Sequence, residues 1–232
     1  MMQEKRLQME KILKEFGGSF AQQLNIDLSS LREQELFKWF LAAILYGAPI
    51  PEKIASKTFP IFAQRKIDSP AKLLNIGWEG IVSLLDEGGY VRYDFKTATK
   101  LLEMAQRLQE NYGGKLQKIY AEAKNSRDLE KRLQSLARGI GPLTINIFLR
   151  ELRGIWKKAD PLPSDLCVAA ARYLRFIPQN LRSPQKILAA LKSLWQKCPI
   201  PGYNFVDFEA ALVRFGLHMR RRGVKNFKIG IN

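Results

Sequence analysis

Apolar residues recur at intervals of three and four along nearly the whole chain, which is the spacing of one face of an α-helix. Leu129, Leu133 and Leu136 are one example, and the alternating pattern typical of strands is scarce. The pattern therefore predicts an all-α protein, with helices at 3–16, 30–46, 51–65, 70–85, 94–111, 115–123, 126–137, 142–153, 164–175, 184–196 and 205–222.

Proline and serine mark the most distinct boundaries between these helices. Ser69-Pro70 and Ser183-Pro184 each place a capping residue before a proline at the first helical position, where its missing N–H costs nothing. The densest break is the segment KKADPLPS at 157–164. We therefore expect two helical lobes. The central lobe comprises 31–152, and the second lobe combines 1–30 with 153–232, including a basic C-terminal tail.

Composition points to a folded protein with a polyanionic partner. The chain has 232 residues, 46% of them hydrophobic, and its 38 Lys and Arg against 22 Asp and Glu give a formal net charge of +16. Such an excess favours nucleic acid, although a well-solvated surface is the alternative. No apolar stretch approaches the roughly 18 to 20 residues of a membrane span, and the first residues lack an apolar signal-peptide core. We expect an intracellular protein that does not bind membranes, cytoplasmic and nucleoid-associated or otherwise located with DNA.

Histidine and cysteine are almost absent, which restricts the possible chemistry. The two cysteines, Cys167 and Cys198, lack the close spacing of metal ligands, and His218 is the only histidine. Metal clusters and Ser-His-Asp catalysis are therefore not expected. Carboxylates and lysines remain as the candidate reactive groups.

Residues 129–152 contain the most informative motif, two amphipathic helices joined by a Gly-Ile-Gly turn, and they predict a helix-hairpin-helix. Gly139 and Gly141 can take positive φ, and without side chains they let the backbone come close to a phosphate. The alternative is an ordinary helix pair with a glycine C-cap. The candidate DNA-binding residues of this motif are Arg138, Gly139, Ile140, Gly141, Leu143 and Thr144.

With this motif, the chain resembles the helix-hairpin-helix DNA glycosylase superfamily, the endonuclease III-like group of base-excision repair enzymes. The resemblance extends over ELFKWFLAAILYGAP, EGGYVRYDFKTATKLLE, ARGIGPLTINIFLREL, DPLPSDLCVAAARYL and FEAALVRFGLHMRRRG. It implies a two-lobed all-α fold that binds DNA in the cleft between the lobes, across the hairpin. It also implies an aspartate at the start of a helix shortly after the hairpin.

Asp165 fits the position of that aspartate, and Asp160 is the competitor. In the family the carboxylate stabilises the positive charge that develops on the deoxyribose as the glycosidic bond breaks. Acids and serines just before a helix are usually caps, so Ser164 or Asp165 could instead have only that role.

Two features of the family are missing from this sequence. Bifunctional members have a nucleophilic lysine at the position of Leu143, so the resemblance implies a monofunctional enzyme that uses water. Lys157 and Lys158 are the alternative amines, although phosphate contacts are their more ordinary role. The four cysteines of the family's iron–sulfur cluster are also missing, so no cofactor is expected other than a monovalent cation that the hairpin could hold.

The basic tail is expected to contact phosphate, because the segment from Ala210 onward has no acid. The alternative is a solvated helix end whose cations suit the helix dipole. His218 is expected to pack against its neighbours. The cations of the tail are Arg214, Arg220, Arg221, Arg222, Lys225 and Lys228.

Two segments are candidates for the base pocket or for a wedge into the DNA. Tyr46 and Ala48 lie where the family commonly has a glutamine that fills the space of the flipped base, and Tyr46 could stack there. Tyr90, Arg92 and Tyr93 lie in the loop GGYVRYD and could touch the base or its phosphate. Tyrosines that anchor the loop to the core are the alternative.

The resemblance thus implies a DNA glycosylase of base-excision repair that acts as a monomer on double-stranded DNA containing a damaged or mispaired base. The sequence does not choose among alkylated, oxidised and deaminated bases. A non-catalytic protein that binds distorted DNA is the alternative function, and an RNA-binding helical module is a third.

Overall fold

The computed structural model describes residues 2–224, and all regular structure within this range is helical. The all-α prediction is confirmed, and the predicted helices occur with ends shifted by at most three residues. The structure adds a short helix, α2, and a 3₁₀ turn at Leu28–Ser30. The helices are α1 Met2–Phe16, α2 Phe20–Gln23, α3 Glu33–Tyr46, α4 Glu52–Gln64, α5 Pro70–Glu87, α6 Asp94–Tyr112, α7 Leu116–Glu122, α8 Ser126–Gln134, α9 Pro142–Glu151, α10 Asp165–Tyr173, α11 Pro184–Lys197 and α12 Phe205–Arg221.

The two Ser-Pro helix starts are confirmed. The Ser69 hydroxyl accepts the N–H of Lys72 at the start of α5, and the Ser183 hydroxyl accepts that of Lys186 at the start of α11. Each bond satisfies one of the backbone donors that a helix N-terminus leaves open.

One helix is interrupted in a way that the sequence pattern does not predict. Gly77 has φ +67° and ψ −177° inside α5, a backbone conformation that is essentially restricted to glycine. The interruption divides α5 into two helical segments, and Trp78 begins the second.

The chain divides into two compact units, and their boundaries differ from the predicted 31 and 152. The central unit is Leu24–Pro161, and the terminal unit combines Met1–Gln23 with Leu162–Asn232. Asp27 belongs to the central unit because its N–H donates to the Glu35 carboxylate on α3.

The segment after α9 also belongs to the central unit. The Trp156 ring stacks on Tyr120 of α7, with 4.8 Å between ring centroids. Arg153 pairs with Asp160 and donates to the Pro161 carbonyl at 2.7 Å. These contacts explain why the boundary lies inside the predicted 157–164 break rather than at the end of α9.

The core of the central unit forms around α3, which is buried along most of its length. The Trp39 indole N–H donates to the Phe148 carbonyl of α9 at 3.1 Å, and the Phe40 ring meets the Phe148 ring edge-on at 4.8 Å. Trp39 is therefore a core residue, as expected from its apolar surroundings in the sequence. Because α9 packs directly on α3, the Gly-Ile-Gly turn is joined directly to the buried core of this unit.

In the terminal unit α12 packs on α1 and α10. Gly216 of α12 lies so close to α10 that a Cβ there would be 2.8 Å from the Leu166 carbonyl oxygen. Trp195 of α11 stacks on Phe208 of α12 at 5.6 Å. This packing fixes the start of α10, where Asp165 lies.

Over the described range 2–224, no helix is both long and apolar enough to cross a membrane.

Candidate nucleic-acid interface

The glycine turn, residues 138–141, joins α8 to α9, and its two glycines differ in conformation. Gly139 has φ +86°, where a side chain would be strained. Gly141 has φ −96° and ψ 176°, which is extended backbone that any residue adopts. Of the two glycines that can take positive φ, only Gly139 does so, because Gly141 is the N-cap of α9 and continues directly into Pro142.

The start of α9 leaves backbone donors available. Within the described part of the chain, no hydrogen bond uses the N–H of Gly141, Leu143 or Thr144, and Pro142 has none to offer. A Cβ at Gly141 would have no neighbour within 4 Å, so the space beside this residue is open. This arrangement suits an anion.

The side chains of the turn divide into exposed and buried ones. Arg138 is exposed, and Leu143 is 52% exposed. Ile140 and Thr144 are buried, and the Ile140 N–H donates to the Ala137 carbonyl. Ile140 therefore offers a ligand neither its side chain nor its N–H, which corrects its assignment as a DNA contact.

The turn rests on α6 through an acid that the sequence analysis did not identify. The Glu103 carboxylate accepts the Arg138 N–H at 3.0 Å and pairs with Arg107 at 2.6 Å. Nothing in the local pattern distinguishes Glu103 from other surface acids, because the N–H that it accepts lies 35 residues further along the chain, in the glycine turn.

Lys100, one turn before Glu103, is a second residue that the sequence analysis missed. A Cβ at Gly139 would lie 3.2 Å from the Cε and 3.6 Å from the Nζ of this lysine. Burial lowers the pKa of Lys100 below its ordinary value. Of the ion pairs among the described residues, none includes Lys100. A cation beside the glycine turn is therefore available for an anionic ligand.

The end of α3 is in direct contact with the start of α9. Gly47 approaches Thr144 so closely that a Cβ at position 47 would be 2.1 Å from the Thr144 hydroxyl oxygen. The structure thus brings Tyr46 and Ala48 to the α9 end of the glycine turn. Ala48 is buried, and the Tyr46 hydroxyl shares a 2.9 Å hydrogen bond with Ser56.

The loop between α5 and α6 supports the anchoring alternative for Tyr90. Its ring is buried, and its hydroxyl donates to the Leu45 carbonyl at 2.8 Å. Burial raises the pKa of Tyr90. Because it holds the loop against α3, Tyr90 presents no ring face to a base, which corrects its assignment to the pocket. Arg92 is exposed, with its guanidinium 5.6 Å from the ring centre of the half-buried Tyr93.

The two candidate catalytic aspartates differ in their partners. Ser164 is the N-cap of α10 and accepts the Cys167 N–H, so the cap role belongs to Ser164 rather than Asp165. Asp165 is the first residue of α10 and is exposed, with no hydrogen bond or ion pair to another described residue. Asp160 pairs with the buried guanidinium of Arg153 in the central unit.

Two cations that the sequence suggested as phosphate contacts have structural partners instead. Arg214 donates to the carbonyls of Phe16 and Gly18 at 2.9 and 2.5 Å, and it lies 3.8 Å from the centre of the Phe20 ring. Lys158 donates to the Tyr120 carbonyl at 2.6 Å and lies over its ring. Both side chains are thus used to hold helix ends.

Three other cations of the tail are on the surface. Arg220, Arg221 and Arg222 are exposed at the end of α12, whereas Lys225 and Lys228 lie outside the described residues. The His218 ring packs on Phe16 at 5.5 Å, in agreement with the packing role expected for it.

Neither a metal site nor a known relative identifies the chain. In the range 2–224, no group of three or more His, Cys, Asp or Glu side chains could hold a metal ion. No protein-family model matches the chain, and the search of curated proteins finds no match to it.

Proposed function

We propose that this protein is a monofunctional DNA glycosylase of base-excision repair, which hydrolyses the N-glycosidic bond of a flipped damaged or mispaired base. The proposal includes the two-lobed helix-hairpin-helix fold that the sequence resemblance implies. The observation that carries it is the glycine turn, where the N–H groups of Gly141, Leu143 and Thr144 have no hydrogen-bond partner among the described residues and the Lys100 side chain lies beside Gly139. Such a surface binds the DNA backbone without reading sequence.

Asp165 is the catalytic group in this proposal. A flipped nucleotide exposes its glycosidic bond, which is inaccessible in the stacked duplex. As that bond breaks, positive charge develops on the sugar, and a carboxylate nearby lowers the energy of that state. Asp165 has its carboxylate available because Ser164 already caps α10. Asp160 is a poorer candidate because its charge is compensated by Arg153.

Water is the proposed nucleophile. The position that would need an amine is Leu143, and Lys158 is committed to the Tyr120 carbonyl. Hydrolysis by water leaves an abasic site with an intact sugar-phosphate backbone, which distinguishes this reaction from a lyase reaction.

The test is base release from a panel of duplexes, each carrying one alkylated, oxidised, deaminated or mispaired base. Each reaction is scored with and without an alkali step that breaks abasic sites. We expect strand breaks only after alkali, for at least one lesion. Breaks before alkali would reject the monofunctional assignment. No release from any lesion, together with tight binding to the same duplexes, would favour the non-catalytic DNA-binding alternative.

A further inference from the structure

An exposed pair of aromatic rings lies on the central unit, at the start of α6. Trp78 is 37% exposed and Phe95 is 58% exposed, and their ring centroids are 5.2 Å apart with an interplanar angle of 42°. The interruption at Gly77 places Trp78 at the start of a new helical segment against Phe95. Two adjacent exposed rings offer a ligand apolar surface together with an aromatic face.

The pair is held in place by hydrogen bonds. The Trp78 indole N–H donates to the Thr99 hydroxyl at 3.0 Å, and that hydroxyl donates to the Phe95 carbonyl at 2.9 Å. The indole therefore has its only donor satisfied inside the protein, and what it offers a ligand is the face of its ring. A ring fixed in this way loses little conformational entropy on binding.

One ring of the aromatic pair, Phe95, lies on α6, the helix that also supports the glycine turn. Phe95 precedes Glu103, which binds the Arg138 N–H, by eight residues on α6, or about 12 Å along the helix axis. Lys100 lies between them on α6 and beside Gly139. A DNA strand that covers about 12 Å would span about three to four nucleotides at roughly 3.4 Å per nucleotide.

The charges around the rings are mixed. Arg92 and Lys96 are exposed cations next to the pair, whereas Glu79 is an exposed acid that follows Trp78. The Asp94 carboxylate accepts the Phe95 N–H at 2.7 Å. An uncharged flat group could therefore stack on the rings, and phosphates attached to that group could bind the nearby cations.

We propose that Trp78 and Phe95 form a stacking platform for an unpaired base of a DNA strand whose phosphates contact the glycine turn. This inference rests on the DNA binding proposed above and adds a second contact to it. Base stacking on aromatic side chains does not depend on sequence, because every base has a π-face. The platform would thus favour DNA that has a base out of the stack.

A protein partner fits the patch less well than a base does. A stable protein interface buries about 800 Å² on each side, with an apolar centre and a polar rim. The exposed large apolar residues at this end of α6 are Trp78, Val91 and Phe95. Three side chains match one or two bases better than a protein surface.

The experiment compares dissociation constants for a single-stranded oligothymidine and for a fully paired duplex of the same length, in the same salt. The variants are Trp78→Leu, Phe95→Leu and Thr99→Val, which keep apolar bulk but remove a ring or the hydrogen bond that orients it. Leu7→Ala, at a residue that is 62% exposed on α1, is the matched control. Circular dichroism checks that each variant is folded.

We expect each ring variant to weaken oligothymidine binding by about 5- to 100-fold and duplex binding by less than about twofold. Thr99→Val should give a smaller loss in the same direction, and Leu7→Ala should change neither. Wild-type affinity for oligothymidine in both ring variants would overturn the platform while leaving DNA binding intact. Absence of binding by the wild type to either DNA would reject the proposed function and the platform together. Loss of self-association in the ring variants, without loss of DNA binding, would make the patch a protein interface instead.

Discussion

Separate alanine substitutions at Gly139 and Gly141 should affect stability unequally and weaken DNA binding in both cases. At Gly139 the φ of +86° disfavours any residue with a Cβ, and the new methyl would meet the Lys100 side chain at 3.2 Å. We expect Gly139→Ala to lower the free energy of unfolding by about 1–2 kcal/mol. At Gly141 the backbone is extended and the Cβ meets nothing, so the lower entropy of the unfolded chain favours Gly141→Ala by about 0.4–1 kcal/mol. Alanine is a poorer N-cap than glycine and offsets this gain by a similar amount, so the free energy of unfolding should stay close to the wild-type value.

The effects of these two variants on DNA binding should not parallel their effects on stability. A methyl group at Gly141 occupies the open space beside the glycine turn, where the proposed phosphate approaches the free N–H groups. Loss of one hydrogen bond to that phosphate would weaken duplex binding by about tenfold or more.

Urea unfolding and fluorescence anisotropy with a labelled duplex measure the two effects. Equal destabilisation by both substitutions would contradict the assigned conformations. Wild-type affinity in the stable Gly141→Ala variant would show that the phosphate does not approach the turn.

Three further perturbations test other parts of the account. The pKa of Asp128 is lowered by hydrogen bonds, first from the Lys124 N–H and then from the Arg132 side chain. The stability that Asp128 contributes is therefore present above its unfolded-state pKa, and it is lost as pH falls through the folded-state pKa. Asp128→Asn should therefore destabilise at neutral pH, with a difference from wild type that disappears in acid, measured by thermal melting across pH. Arg214→Met removes the donor to two carbonyls after α1 and should cost about 1.5–3 kcal/mol in urea unfolding, with partial rescue by Arg214→Lys. Lys100→Met should leave the protein as stable as the wild type or more stable at neutral pH, because burial disfavours the charged ammonium group. The same variant should reduce the salt dependence of DNA binding by about one phosphate contact.

Local signals account for the parts of the fold that the sequence predicts well. The helices follow from the three- and four-residue spacing of apolar positions, and the starts at Ser69 and Ser183 follow from capping chemistry that involves only adjacent residues. The Gly-Ile-Gly turn was predictable for the same reason. Its detailed conformation was not, because both glycines permit several backbone states and only packing selects one.

Partners that are distant in sequence account for most of what the sequence could not predict. The Tyr90 hydroxyl bonds to a carbonyl on α3, and the Glu103 carboxylate holds the glycine turn from α6. The sequence pattern also does not predict the interruption at Gly77, since a glycine inside an apolar helical pattern is compatible with an ordinary helix. The contact between Trp78 and Phe95 could not be predicted from the sequence, because the two residues lie in different helices and share no periodicity.

The central claim is that Asp165 catalyses base release from DNA bound at the glycine turn. Single-turnover base release and duplex affinity, measured on the same lesion-containing DNA for the wild type and Asp165→Asn, test it most directly. Asp160→Asn is the comparison for the competing carboxylate. We expect Asp165→Asn to slow release by about 100- to 1000-fold while its dissociation constant changes by less than about twofold. Release at the wild-type rate by Asp165→Asn would contradict the claim, and slow release only in Asp160→Asn would assign the chemistry to Asp160.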